Sequence, residues 1–219
     1  MSRPPYQTVI FDLDGTLAQS DPGIFECVTA ALQRMGKPVP PPAILRKFIG
    51  PPLCVSFTQF CGMTAEEADQ CTTYYRECYL QSGIYNNSLF PSILPLLQDL
   101  RTAGVQLAVA TSKPQPMAAI VLEHLQIAPL LTAMAGASLD ERKSDKAKLI
   151  NTVLHQCNTT PDQAVMIGDT HFDAAGAKQA GTAFIGVLYG YGYREELTAH
   201  GATQFAAKPQ ALRPLLLPT

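Results

Sequence analysis

Four aspartates stand out by position. Asp12 and Asp14 directly follow the β-branched and aromatic residues 7–11, and Asp169 and Asp173 follow the apolar residues 164–167. A third apolar stretch, residues 105–111, ends in Thr111 and is followed by Ser112 and Lys113, while Lys146 opens a helical stretch. Carboxylates gathered in one place repel one another and call for a divalent cation. A donor set of oxygens, without His or Cys, favours Mg²⁺. Next to such a cation one carboxylate is left free to attack phosphorus. A lysine and a hydroxyl can then hold the other phosphate oxygens where charge spreads in the transition state. Each residue alone has an ordinary explanation: Asp favours turns, Gly168-Asp169 can cap a helix, and a helix lysine is usually solvated. The conjunction, with the aspartates and the threonine each at a strand end, points to phosphoryl transfer.

These groups meet only if the elements carrying them share one edge. Residues 7–11 read as a strand. From Asp21 to Met35 the pattern is helical, with Ile24, Val28, Ala31 and Leu32 on one face. Asp21-Pro22 makes a good start, as an N-cap followed by proline, and Gly36 a stop. Four prolines in 37–42 break the chain. Short helical stretches at 43–48 and 53–60 precede a longer one at 64–81, where Thr64 and Glu67 form a capping box. Residues 82–91 read as a linker. Beyond them helices at 92–103, 115–125, 144–156 and 172–180 alternate with strands at 105–111, 164–167 and 183–187 and an apolar stretch at 130–136. A weak strand at 203–206 and a helix at 209–216 close the chain. The fold class is therefore α/β: a Rossmann-like, mostly parallel sheet covered on both faces, with ligands beyond the carboxyl ends of its strands. Residues 18–84 show no obvious strand and read as an all-helical insertion.

Composition narrows the class. With 47% hydrophobic and 16% charged residues among 219, the chain can build a substantial core. A net charge of −2 gives no basic face for nucleic acid. No apolar run nears the roughly 20 residues that span a bilayer, and the start lacks a secretory pattern. The expectation is a cytoplasmic protein with no membrane or nucleic-acid partner, a monomer or homodimer. Six cysteines include no CxxC pair, which excludes a zinc knuckle. Cys54 and Cys61, like Cys71 and Cys78, are seven apart and recur on one helical face. Buried reduced thiols are the expectation, a disulfide or redox role the alternative.

Asp12-Leu13-Asp14-Gly15-Thr16 resembles the first motif of the haloacid dehalogenase-like superfamily, Ala110-Thr111-Ser112-Lys113-Pro114 the second, and Gly168-Asp169-Thr170-His171-Phe172-Asp173 the fourth. The resemblance covers essentially the whole chain. It is strongest to the phosphoglycolate phosphatase-like branch, whose helical cap is inserted after the first motif; this implies that residues 18–84 are a small α-helical cap inserted into a catalytic core of 1–17 and 85–219. It implies that Asp12 is the nucleophile and Asp14 the general acid to the leaving alcohol, then the base toward water. It implies Mg²⁺ on Asp12, the backbone carbonyl of Asp14 and Asp169, with Asp173 nearby, phosphate on Thr111 and Lys146, and Ser112 at the substrate. The third motif departs from the usual Lys-Pro form: residues 141–148 read Glu-Arg-Lys-Ser-Asp-Lys-Ala-Lys, so Lys143 competes with Lys146. His171, between two acids of the fourth motif, reads as a surface residue.

Asp14 separates sister activities. By the same resemblance, dehalogenases lack this second acid, phosphonatases carry Ala there and P-type pumps Thr. A sugar-phosphate mutase would keep it and is the alternative, as is a non-catalytic metabolite-binding member. The cap loop Phe48-Ile49-Gly50-Pro51-Pro52, with Arg46 beside it, is expected at the substrate; Arg46 suits a carboxylate or second phosphate, or else solvent. Tyr74, Tyr75 and Tyr79 read as cap core. A small cap-gated pocket suits a small phosphorylated metabolite, either 2-phosphoglycolate or a nucleoside monophosphate.

Overall fold

Thr8–Phe11 carries β-branched or aromatic side chains at every position, all of them buried, as a strand covered on both faces requires. A computed structural model, describing residues 4–139 and 145–217, makes this strand β1. There follow β2 (Ala18–Gln19), α1 (Asp21–Arg34), α2 (Pro42–Leu45), α3 (Leu53–Cys61), α4 (Ala65–Gln81), β3 (Ser88–Leu89), α5 (Ile93–Thr102) and β4 (Gln106–Pro114). Then come α6 (Gln115–His124), β5 (Ala133–Ala137), α7 (Lys146–Gln156), β6 (Ala164–Gly168) and α8 (His171–Ala180). The chain closes with β7 (Ala183–Val187), α9 (Arg194–Ala199), β8 (Gln204–Ala206) and α10 (Arg213–Leu216).

Six strands form one sheet in the order β5-β4-β1-β6-β7-β8, with every neighbouring pair parallel. Alternation along β1 divides the core in two. Val9 and Phe11 join the larger cluster with Leu97, Leu100 and Val121 of α5 and α6. Ile10 faces the other way, onto Ile150 and Val153 of α7 and Ala177 of α8. Helices thus cover both faces, as the alternating pattern predicts. Successive strands step outward from β1 to β4 and β5, and the chain then returns to the other side of β1 with β6. That reversal places a crevice at the carboxyl end of β1.

The segment between β2 and β3 is helical. Helix α4 is capped by Thr64, whose side chain accepts from Glu67 N while Glu67 accepts from Thr64 N. It packs on α1 and α3, burying Cys71, Tyr75 and Tyr79. Several expectations need correction. Residues 18–84 do contain a strand: β2 pairs antiparallel with β3, itself inside the presumed linker. Two-residue strands are too short for alternation to reveal. The residue preceding α1 is Ser20, and Asp21 is already helical. The closing helix is a 3₁₀ turn, Pro209–Leu212, followed by the short α10 with Pro214 in its first turn. Cys27 of α1 and Cys78 of α4 form a disulfide, against the expectation of reduced thiols throughout. Cys54, Cys61, Cys71 and Cys157 are free. Among the described residues no helix is long and apolar enough to cross a membrane.

Candidate active site

Register sets the site. Phe11 lies level with Val109 of β4 and Ile167 of β6, so the residues that follow each strand emerge at one edge. The Asp12 N–H donates to the Ile167 carbonyl at 2.9 Å, extending the ladder by one step and fixing where the carboxylate begins. Asp169 follows β6, and Asp173 sits in the first turn of α8, where its Oδ2 accepts from Thr170 N at 3.0 Å and Thr170 Oγ1 at 2.7 Å.

Asp12, Asp169 and Asp173 are all buried, and one carboxylate oxygen from each lies within 4.8 Å of the others. Lys146, the first residue of α7, reaches into them. Its Nζ lies 2.9 Å from Asp12 Oδ1, 2.8 Å from Asp173 Oδ1 and 3.0 Å from the Ala110 carbonyl. Three carboxylates against one ammonium leave two negative charges, the charge of a single divalent cation. Burial dominates the proton affinities here. It pushes Asp12 up to about 6, with Lys146 pulling down and Asp173 and Asp14 pushing up. Burial likewise raises Asp169 well above the usual carboxylate range, with Asp173 and Asp12 adding to it. Burial alone would lower Lys146, but Asp12 and Asp173 outweigh it and hold the ammonium firmly protonated. An oxygen-only set with surplus negative charge fits a hard divalent cation.

Asp14 stands apart from this cluster. Its Oδ2 is 3.0 Å from Lys113 Nζ, and its Oδ1 is buried without a hydrogen-bond partner among the described residues. Lys113 Nζ also donates to the Tyr79 hydroxyl at 2.9 Å, across from the core to α4. Thr111 is buried within β4, just before its pairing with β5 shifts register, its Oγ1 accepting from Lys113 N at 3.2 Å. Asp12, Asp14, Thr111, Ser112 and Lys113 line a cavity of about 120 Å³ roofed by Phe48, Tyr75 and Tyr79. Gly50-Pro51-Pro52 and Ser112 border both this cavity and a larger one of about 670 Å³ that reaches His171, Phe172 and Tyr193.

The sequence-predicted residues therefore converge, with two qualifications. Arg46 lines the outer cavity only, and its Nη2 and Nε donate to the carbonyls of Gly190 and Tyr191 at 2.6 and 3.4 Å. Gly50 approaches Thr170, with a positive φ of 104°. His171 lies beside Glu196, 3.6 Å from its Oε2, and against Phe172. Lys143 lies outside the described residues.

Sequence reasoning missed several contributors. Lys113 follows Thr111 by two along β4, so both reach the same edge, and that period was the available signal. Tyr79 read as core and is core, but its hydroxyl is polar and buried and needs a partner. Gly176 admits the Lys146 stem: a Cβ there would sit 2.6 Å from Lys146 Cγ. Gly15, Gly190 and Gly192 crowd around Asp169 in the same way, with no room for a side chain. Tyr191 donates its N–H to Asp169 Oδ2 at 2.7 Å. None of these close approaches has a periodic signature.

Comparison with known proteins agrees with this geometry. The chain is 39% identical over 211 residues to a 5'-nucleotidase of Pseudomonas aeruginosa, covering 96% of each. It is 32% identical to a phosphoglycolate phosphatase of Rhodospirillum rubrum, covering 90% of this chain and 85% of that one. The solved structure of Mycobacterium tuberculosis Protein Tyrosine Kinase A superimposes with a TM-score of 0.85 at 38% identity, covering 96% of this chain and 98% of the other. The family model described as haloacid dehalogenase-like hydrolase matches residues 9–187, and with its aspartates at the strand ends this chain belongs to the haloacid dehalogenase-like hydrolases.

Proposed function

We propose that this hydrolase is a Mg²⁺-dependent phosphatase that cleaves a small phosphomonoester through an aspartyl-phosphate at Asp12. The observation that carries the reading is the split between two carboxylates of one motif. Asp12 sits within the acid cluster, against Lys146, while Asp14 lines the cavity outside that cluster, its Oδ2 held by Lys113. The first suits a nucleophile whose charge is shared, the second a proton carrier.

The cation, held by Asp12, Asp169, Asp173 and the Asp14 carbonyl, supplies positive charge against the phosphate oxygens when bound. Lys146, Thr111 and Ser112 bind and orient those oxygens. As the Asp12 oxygen bonds to phosphorus, the ester P–O bond breaks and Asp14 passes its proton to the departing alkoxide. Asp14 then takes a proton from water as its oxygen attacks phosphorus, and Asp12 is freed. Residues 18–84 act as the cap, excluding bulk water, with Gly50 in the loop over the substrate. Arg46 holds that loop near the core and lines the outer approach.

The leaving group is a small metabolite. The likeness to a 5'-nucleotidase supports nucleoside monophosphates, and the aromatic outer cavity has room for a nucleoside. The likeness to a phosphoglycolate phosphatase and the small inner cavity support 2-phosphoglycolate. Phosphate release from a panel holding both classes, sugar phosphates and p-nitrophenyl phosphate tests the reading, with and without Mg²⁺. Metal-dependent release that disappears in Asp12→Asn is the expected result. No release from any ester, with the fold intact by circular dichroism, overturns it.

A further inference from the structure

Lys113 and Tyr79 have no place in the phosphate chemistry just described, yet both are buried beside it. Among the described residues Lys113 forms no ion pair with Asp12, Asp169 or Asp173. Its ammonium instead bridges two elements: Asp14 Oδ2 at 3.0 Å on the core side and the Tyr79 hydroxyl at 2.9 Å on α4. Tyr79 is fixed from behind by Tyr75, stacked at 5.3 Å between ring centroids with 12° between planes. The ammonium also lies 4.7 Å from the Tyr79 ring centre. An ammonium taken from water so completely is costly unless both its charge and its hydrogens are matched. Asp14 meets the charge once it has given up its proton. Tyr79 meets a hydrogen, but only while α4 is docked on the core.

The consequence for Asp14 is orientational. A carboxylate on a short side chain next to a glycine can rotate, and either oxygen can face the substrate. With Oδ2 held by Lys113, the carboxylate is fixed in one orientation at the cavity wall. We propose that Lys113 and Tyr79 are positioning residues that aim Asp14 at the leaving-group oxygen, and that Tyr79 makes this alignment depend on docking of α4. The inference rests on the acid/base role proposed for Asp14. It adds a link by which the cap, without touching the proton, sets where the proton is delivered.

Leaving groups differ in how much they need that delivery. An aliphatic alkoxide must be protonated as it departs, whereas p-nitrophenolate leaves without a proton. The constant kcat/KM covers steps through P–O cleavage and omits hydrolysis of the phospho-enzyme, so it isolates the acid step. The test compares kcat/KM for 2-phosphoglycolate or a nucleoside 5'-monophosphate, whichever the enzyme turns over, with that for p-nitrophenyl phosphate. Tyr79→Phe removes one oxygen and keeps the ring; Lys113→Met removes the charge and keeps the length. General acids contribute roughly 10²- to 10⁴-fold. Expected is a loss of about tenfold for Tyr79→Phe and about 10²-fold for Lys113→Met on the aliphatic ester. On the aryl ester both stay within about threefold of the parent. Equal losses on both esters would mean a merely structural role and overturn the proposal, as would no loss on either. Asp14→Asn separates the levels. If it lowers only the aliphatic ester while the other two variants do not, this inference fails and the acid role stands. If Asp14→Asn lowers both esters alike, the acid role fails and the inference with it. Should Lys113→Met fail to fold, Tyr79→Phe alone decides.

Discussion

Tyr191 and Asp169 are joined at 2.7 Å, the tyrosine's backbone N–H donating to Oδ2 of the carboxylate. The same tyrosine's hydroxyl accepts from the N–H groups of Ser20 and Asp21 at 2.9 and 3.1 Å and donates to Asp21 Oδ1 at 2.8 Å. One residue therefore orients an acid of the cluster through its main chain and caps the start of α1 through its side chain. Tyr191→Phe separates these functions because it keeps the N–H. Loss of the hydroxyl should cost about 1–3 kcal/mol of stability and leave Mg²⁺ affinity unchanged. Denaturant unfolding and metal titration check the two halves; a large fall in metal affinity would show that the side chain, too, holds Asp169.

Proton competition should be visible in metal binding. Without metal, burial raises Asp12 from 3.8 to about 6. The folded chain therefore holds this proton more tightly than the unfolded one. The group opposes folding fully above about pH 6, and that opposition is relieved as pH falls toward 3.8. Mg²⁺ needs the carboxylate ionised, so its apparent affinity should fall as pH drops below 6, by about tenfold per pH unit for this proton, and Asp169, raised by burial as well, adds to the fall. Calorimetric titration at several pH values measures this; a constant affinity down to pH 5 would remove Asp12 from the metal set.

Gly176→Ala addresses how Lys146 is held. The new Cβ would sit 2.6 Å from Lys146 Cγ and 2.7 Å from its Cβ, so the lysine or α8 must shift. Overpacking of this kind costs about 1–3 kcal/mol, and misplacement by 1 Å at a reacting group costs about 10²-fold in rate. The expected outcome is a folded protein with kcat reduced by about that factor. Full activity would mean that the ammonium tolerates displacement.

The Cys27–Cys78 disulfide makes a plain prediction about thiol content. Titrated in denaturant without reductant, the oxidised protein should present four free thiols, rising to six after reduction. A loop closed over 51 residues stabilises by about 2–4 kcal/mol. Dithiothreitol should therefore lower the unfolding midpoint of the parent and leave that of Cys27→Ala unchanged. Six thiols at the outset would mean that the pair is reduced in solution.

How far the sequence carried depends on the kind of signal. Long periodic elements were legible: α1, α4 and α7 declare one apolar face, and β1 and β6 are short runs buried on both sides. Asp12, Asp14, Asp169 and Asp173 were legible because strand ends are where such sheets bind ligands. What stayed hidden depends on contacts between distant segments. Two-residue strands have no period. The partner of Cys27 could not be chosen, because a spacing of seven pointed to other pairs. Lys113 appears in the second motif, but only the approach of Tyr79 from α4 reveals its second contact. The Arg46 guanidinium is held by main-chain carbonyls, which have no sequence identity to read.

The β2–β3 pair has a further implication. Ala18 lies opposite Leu89 and Gln19 opposite Ser88, so the chain departs from the sheet and rejoins it through adjoining points. An antiparallel pair of that kind can be closed by a two-residue turn. Exchange of the segment between β2 and β3 would not rethread any strand of the six-stranded sheet. Lineages that trade such segments would change what the pocket admits and, through the residue at position 79, how Asp14 is aimed, while Asp12, Lys146, Asp169 and Asp173 stay with the sheet.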